Sequence, residues 1–491
     1  MKKKYIIIVS VLTVIFILIY LLLPYPKVTL TGMDEETIDH YMLNKLGELR
    51  IPGAAIGIVN NGDVFMKGYG KMNTKGAEMT PQTAVLLGST TKSITALAIM
   101  QLVEKGKLEV DDPVIKYLPG FTFDHKKPSL NITIRQLLNQ TSGIAGSTGR
   151  SDYLNEAQTA SEFVSILKYD SLSMNPGEDY QYAEANYIIL GQIVEAISGQ
   201  TYASYVEDNI FKPLKMLHSY TSKEAAQQNG LSDGYRTWFG FPIKIDLPHP
   251  KQYLSASGLY SSVEDLIHYV SMYCDHGTYE GKTIISKTLL QEIIKPAISL
   301  KNPVGYSYGM GWFVGDGVIV HDGRPTNYYS IVIMEPEIKR GVVLLANVNN
   351  RLITAEYMMP MVFEIFNALN GKNSTVSLLG FRQIYRVLNL LLLIMLALPL
   401  YRFIMVIRQR HQNKICINPK VKNIVKYLLL DVMSFAVVFS ALLWLLNSYG
   451  VSLRIAYLGQ PDIVLVIVAT LVLTLINILL KLIISWRSRY F

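Results

Sequence analysis

Four long apolar runs divide the sequence, and they constrain its fold more than any other feature. Tyr5–Leu23, Val387–Ile407, Tyr427–Leu446 and Ile463–Trp486 each hold about 20 residues with few charges. At 1.5 Å per helical residue such a run covers roughly 30 Å, the thickness of a bilayer's hydrocarbon core. The expectation is three parts: an N-terminal transmembrane anchor over 1–27, a folded domain over 28–372, and a C-terminal membrane domain over 373–491 with three transmembrane helices. Lys2–Lys4 precede the first run, and Pro24-Tyr25-Pro26-Lys27 follows it without a small-x-small cleavage site. That pattern favours an uncleaved anchor over a signal peptide.

Charge gives the orientation. Of 46 Lys/Arg and 38 Asp/Glu, 16 and 2 fall in 1–4 and 381–491, which leaves 30 and 36 in the rest of the chain. The overall +8 therefore flanks the membrane, and the middle of the chain is mildly acidic. A nucleic-acid partner loses its main support. The basic residues Arg408, Arg410, Lys414, Lys420, Lys422 and Lys426 lie between the second and third runs, whereas Arg454 and Asp462 are the only charges between the last two. Basic loops stay in the cytoplasm. Both termini are then cytoplasmic, and 28–372 is extracytoplasmic. Asp431 and Lys481 fall inside spans and are read as snorkelling or helix-packing residues. Polar lining is too sparse for a transporter, so the helices read as an anchor in the lipid bilayer. Cys274 and Cys416 fall on opposite sides of the membrane in this topology, so no disulfide is expected, and no metal spacing occurs.

Between the membrane runs, Ala54–Val59 and Val64–Tyr69 are β-rich and joined by Asn60-Asn61-Gly62-Asp63, a hairpin signal. A helical stretch, Glu35–Leu49, precedes them. Helical patterns follow from Ser89 to Lys105 and over Ala185–Ser198, each stopped by a glycine. Val318–Val320, Ser330–Met334 and Gly341–Ala346 read as antiparallel strands. Strands first, helices in the middle and strands last predict an α+β or α/β domain whose sheet is closed by both ends of the segment.

The chemistry centres on Ser89-Thr90-Thr91-Lys92 at a helix start. Residues three apart share a helix face, with Cβ atoms about 5–6 Å apart. A serine hydroxyl needs a base within hydrogen-bond reach to act as a nucleophile. Lysine serves as that base when burial or neighbouring charge favours its neutral form. Ser-x-x-Lys alone is weak evidence. Three further elements follow in order: Leu137-Leu138-Asn139-Gln140-Thr141-Ser142-Gly143-Ile144, Pro176-Gly177 through Tyr182-Ala183-Glu184-Ala185-Asn186-Tyr187, and His321-Asp322-Gly323 after a strand. Leu254-Ser255-Ala256-Ser257-Gly258-Leu259 lies between the last two.

Over about residues 35–370 this order resembles the serine β-lactamase-related hydrolases: class C β-lactamases, D-alanyl-D-alanine carboxypeptidases and penicillin-binding proteins. The resemblance implies a β-lactamase/transpeptidase-like antiparallel sheet flanked by helices, plus a helical lobe, and no cofactor. It implies that Ser89 is acylated, that Lys92 is its base, that Tyr182 moves protons to the leaving group and from water, and that His321 and Gly323 line the site. The backbone N–H groups of Ser89 and Arg324 would form the oxyanion hole, roughly 3–4 kcal/mol per donor in other acyl-transfer enzymes. Substrates implied are small peptides or D-aminoacyl esters and amides, with β-lactams as a further ligand. A prodrug-activating peptidase with three C-terminal membrane helices has the same layout. The alternative is a β-lactam-binding sensor with little turnover.

One position departs from the family's Tyr-x-Asn: Glu184 stands where asparagine is expected. An ionised glutamate accepts hydrogen bonds and donates none. Two readings stay open: Glu184 pairs with Lys92 or faces solvent, or its charge attracts a cationic group on the substrate. Asn327 is a further ligand candidate or a turn former. Asp322 reads as a turn residue and His268 as structural. Tyr253, Tyr308 and Trp312 suit either a cleft wall or the core.

Overall fold

The computed structural model describes residues 30–123, 131–148, 159–301, 305–350, 354–372, 380–411, 421–448 and 453–490. The expected N-terminal anchor, Tyr5–Leu23, lies outside them. One compact unit is built from Lys27–Thr237 and Phe241–Leu378, and the C-terminal helices belong to another.

The first unit begins with helix α1 (Glu35–Leu49), whose N-cap Asp34 accepts from Thr37 N. A cap of this kind satisfies one of the orphan amides of the first turn. Strands β1 (Gly53–Asn60) and β2 (Asp63–Gly70) form the expected hairpin. The chain then builds a helical lobe, including α2 (Thr91–Glu104), α3 (Ile134–Leu138) and α4 (Glu184–Ser198). It returns through α5 (Leu254–Ser257) and α6 (Val263–Cys274). Six more strands complete the sheet: β3 (Ile298–Ser299), β4 (Ser307–Tyr308), β5 (Phe313–Gly315), β6 (Val318–Gly323), β7 (Tyr329–Glu335) and β8 (Arg340–Ala346). Helix α7 (Thr354–Leu369) follows.

The eight strands lie in the order β2-β1-β8-β7-β6-β5-β4-β3 and pair antiparallel. The expected closure by both ends of the segment is the β1–β8 pairing, in which Ala54 faces Ala346 and Asn60 faces Arg340. Both faces of the central strands are covered, which explains why β7 and β8 read as unbroken apolar runs rather than alternating ones. Ala55, Val59, Val343 and Leu345 join the core shared with the helical lobe. On the other face Ala54, Ile56, Val342 and Leu344 are equally buried, and α7 packs against β7 and β8.

Helix α6 presses on the sheet where Gly57 leaves room. A Cβ on Gly57 would stand 2.6 Å from Ile267 Cγ1 and 2.7 Å from Val263 Cγ1. Helix α2 is buried on all sides from Thr91 to Leu102. A helix of that kind is a central core element, and its polar side chains Lys92, Ser93, Thr95 and Gln101 are buried with hydrogen-bond partners.

In the second unit, α8 (Phe381–His411), α9 (Val421–Ser448) and α10 (Pro461–Tyr490) are long helices. Two carry stretches long and apolar enough to cross a membrane, Phe381–Arg408 and Pro461–Ile483. The third expected span, Tyr427–Leu446, falls within α9. Among the described residues of α9 the apolar stretch is Leu428–Trp444. At 1.5 Å per residue it covers about 25 Å. Asp431 and Lys481 do not snorkel outward. Asp431 is fully buried, and its carboxylate accepts from Arg402 Nη1 at 2.7 Å and from Lys481 Nζ. One charged residue from each of three helices thus meets in a single cluster.

Gly57→Val should lower the stability of the full chain by about 1–3 kcal/mol, the usual cost of overpacking a filled core. Thermal or urea unfolding in detergent would measure it. An unchanged midpoint would show that α6 gives way freely.

Candidate functional site

Ser89 sits in a single turn, Gly88–Thr90, that runs directly into α2. Its neighbours Thr90 and Lys92 are buried, while Ser89 itself is partly exposed. The turn is pinned from the sheet. Ser330 Oγ donates to Leu87 O at 2.6 Å and lies 2.8 Å from Thr90 Oγ1. Strand β6 runs so close that a Cβ on Gly323 would stand 1.8 Å from Leu87 O. Only glycine fits there, which accounts for the glycine of the His-x-Gly strand. The Arg324 amide nitrogen comes within 3.3 Å of the place a Cβ on Gly88 would take. That puts it beside the turn that carries Ser89, where the expected oxyanion donor would have to lie.

The site opens into a cleft of about 370 Å³. Ser89, Tyr182, Glu184, His321, Arg324 and Asn327 all line it. Lys92 stands behind Ser89 with its side chain fully buried. Its Nζ donates to Glu184 Oε2 at 2.6 Å, to Ala256 O at 2.8 Å and to Ser89 Oγ at 3.3 Å. It also lies 4.9 Å from the centre of the Tyr182 ring. Of the two readings of Glu184, the pairing with Lys92 is the one the geometry displays, so its charge is already matched within the protein. A buried ammonium deprived of such a partner costs about 3–5 kcal/mol.

Tyr182 lies beside Ser89 in the same cleft, and its hydroxyl feels the serine side chain. Burial, followed by the Glu184 charge, raises the Tyr182 hydroxyl well above its ordinary range, so the phenol keeps its proton. Tyr182 and Glu184 are held by the Leu137–Ile144 element. Gln140 accepts from Gln181 N through its backbone and from Ala183 N through Oε1, at 2.8 and 2.9 Å. Asn186 Nδ2 also donates to Gln140 Oε1, and Ser142 Oγ donates to Asn186 Oδ1 at 2.6 Å. Glu184 opens α4, where the helix dipole favours a negative charge.

His321 is buried on β6, with Nδ1 2.8 Å from Asp322 O and Nε2 3.4 Å from Tyr308 Oη. Burial, then the Lys92 charge, pushes the imidazole down to about 3. It is neutral at physiological pH and orients groups rather than titrating. Sequence reasoning missed His249, which lines the same cleft. Burial lowers it to about 4. It follows a strand-like hairpin in a stretch with no motif, so no sequence signal pointed to it. Ala256 was visible as part of an ordered element, but its carbonyl's role was not.

The other candidates separate. Asp322 is not a turn residue: it lies within β6 and pairs with the Arg324 guanidinium. Asn327 lines the cleft and donates from Nδ2 to Ile245 O at 3.3 Å. Tyr253 and Trp312 are core. Tyr308 is also buried, with its ring edge-on to Tyr182. His268 sits on α6 with its ring against Tyr279, as a structural residue would. Among the described residues no cluster of metal-ligating side chains occurs.

The order of these parts and their geometry agree with a match to the Beta-lactamase family over residues 36–357. The chain belongs to that family. It is 31% identical over 331 residues to Protein flp of Staphylococcus aureus (strain MW2), covering 66% of this chain and 65% of that protein. It is 29% identical over 309 residues to the putative penicillin-binding protein PbpX of Bacillus subtilis (strain 168), covering 62% and 73%. Among solved structures it is similar to the octameric penicillin-binding protein homologue from Pyrococcus abyssi, with a TM-score of 0.60 and 29% identity over 70% of this chain and 78% of that one.

Two outcomes follow for this family member. Gly323→Ala should cut acylation of Ser89 about 100-fold by displacing β6 from the nucleophile's turn, since a shift of about 1 Å is enough for such a loss. Circular dichroism should stay unchanged, and acylation at the native rate would contradict the close approach. The second concerns acid. An imidazole held at about 3 in the fold, against about 6.5 when free, leaves the unfolded chain to bind the proton first. Its contribution to stability is whole above pH ~6.5 and lost as the pH falls towards 3. The unfolding temperature should therefore drop below pH ~6.5, and less steeply in His321→Asn. Equal slopes in the two proteins would show that His321 is not held neutral.

Proposed function

We propose that the chain is a membrane-bound, extracytoplasmic serine hydrolase that works through an acyl-Ser89 intermediate. The observation that carries this reading is the convergence on one hydroxyl: Lys92 Nζ lies 3.3 Å from Ser89 Oγ, and Tyr182 lines the same cleft beside it. Ser89 Oγ attacks a carbonyl carbon and loses its proton towards Lys92. The Ser89 and Arg324 amides face the developing oxyanion, and the protonated Tyr182 phenol gives its proton to the departing amine or alcohol. Water then enters by the same route and releases the acid.

The substrate class is an amide or ester of a D-amino acid: a cell-wall peptide, a D-alanyl ester or a D-aminoacyl cap on an exported peptide. The cleft suits a small peptide unit rather than a protein surface. The basic flanks of the apolar runs support a hydrolase domain outside the cytoplasm. The name of PbpX gives β-lactams a place as acylating ligands.

The test uses intact cells that express the full chain. A membrane-impermeant labelled penicillin and a labelled D-alanyl ester are applied, and the modified peptide is identified. Label should appear on the peptide containing Ser89 and vanish in Ser89→Ala. Label elsewhere overturns the mechanism, and label only after lysis overturns the topology. Persistent penicillin label without turnover of any D-aminoacyl ester or amide favours the sensor over the hydrolase.

A further inference from the structure

We propose that Glu184 is the proton acceptor that lets Lys92 act as a base. The inference rests on the reading of Ser89 as the nucleophile and adds the partner on which that nucleophile depends.

The difficulty is visible in the contacts of Lys92. Its Nζ donates to three acceptors: Glu184 Oε2 at 2.6 Å, Ala256 O at 2.8 Å and Ser89 Oγ at 3.3 Å. The carboxylate at 2.6 Å favours the ammonium form of Lys92, and an ammonium takes no proton from serine. Burial alone would favour the neutral amine, but a carboxylate at hydrogen-bond distance opposes that. One proton must leave Nζ before Ser89 can give up its own. Of the three partners only the Glu184 carboxylate can receive a proton and hold it. The Ala256 carbonyl and the Ser89 hydroxyl cannot.

The other groups around Glu184 offer no substitute. Tyr182 keeps its phenolic proton, for the reasons given above. His249 and His321, which both feel the Glu184 charge, are buried neutral imidazoles held at about 4 and about 3. Burial penalises both charges of the pair, which lowers the cost of passing the proton between them.

The protons balance. Glu184 takes one from Lys92, giving a carboxylic acid and a neutral amine. As the Ser89 Oγ–carbon bond forms, the carbonyl π pair moves to oxygen and the serine proton passes to Lys92. The carbon–leaving-group bond then breaks, and the leaving group takes the Tyr182 proton. The proton stored on Glu184 returns by way of Lys92 to restore the phenol. Asparagine, the residue the family pattern expects at this position, accepts and donates hydrogen bonds but cannot store that proton.

Aspartate and asparagine are equal in size, so Glu184→Asp and Glu184→Asn share any structural defect and differ in the one property at issue. The full chain in detergent is acylated with the probe that labels Ser89 in the wild type, and binding and acylation are resolved by pre-steady-state kinetics. Glu184→Asn and Glu184→Gln should lose about 100-fold or more in the acylation rate constant, the scale of general base catalysis. Probe binding should change little. Glu184→Asp should acylate at least about ten times faster than Glu184→Asn on the same scale. An asparagine variant as fast as the aspartate variant, or a glutamine variant within threefold of wild type, overturns the proposal. Wild-type protein that takes no label at Ser89 overturns the underlying reading instead.

Discussion

A lysine with no exposed side-chain surface organises this site. Lys92 is fully buried, and a buried charge persists only where hydrogen-bonding partners surround it. Three different parts of the fold supply them. Ser89 comes from the turn before α2, Glu184 from the first residue of α4, and Ala256 from α5. None of these elements can shift alone without leaving the ammonium short of a partner. The catalytic geometry and the packing of the helical lobe are therefore the same constraint seen from two sides.

The sheet contributes differently. It brings β6 against the nucleophile's turn at a distance that excludes any side chain at position 323. It also ties that turn through the hydroxyls of Ser330 and Thr90. The helical lobe thus carries Lys92 and Glu184, while the sheet carries Gly323 and the neutral imidazole of His321. The cleft lies where the two meet.

Much of this was legible before any coordinates. Ser89 and Lys92 are three apart on one helix, a relation that spacing alone reveals. The hairpin was marked by its Asn60-Asn61-Gly62-Asp63 turn, α2 and α4 by their glycine stops, and the closing strands by short apolar runs. What could not be read were meetings across long separations. The pairing of Glu184 with Lys92, 92 residues away, stayed one of two open readings, and the contact of Lys92 with the Ala256 carbonyl could not be read at all. His249 carries no motif at all. In the C-terminal unit, each of the three apolar runs falls within a long helix. Asp431 of α9 is compatible with that environment because Arg402 and Lys481 come to it.

The pairing of β1 with β8 has a consequence for how such a chain is made. Ala54 meets Ala346, so the first strand to leave the ribosome stays without one of its neighbours until almost the whole segment has followed. Closing a loop of that length is slow, and edges left open meanwhile invite wrong pairings. The hairpin partner β2 covers one side of β1 early, and the other side stays open. A sheet of this topology cannot be completed strand by strand in the order of synthesis: it closes only once β8 is available to fill the place between β1 and β7.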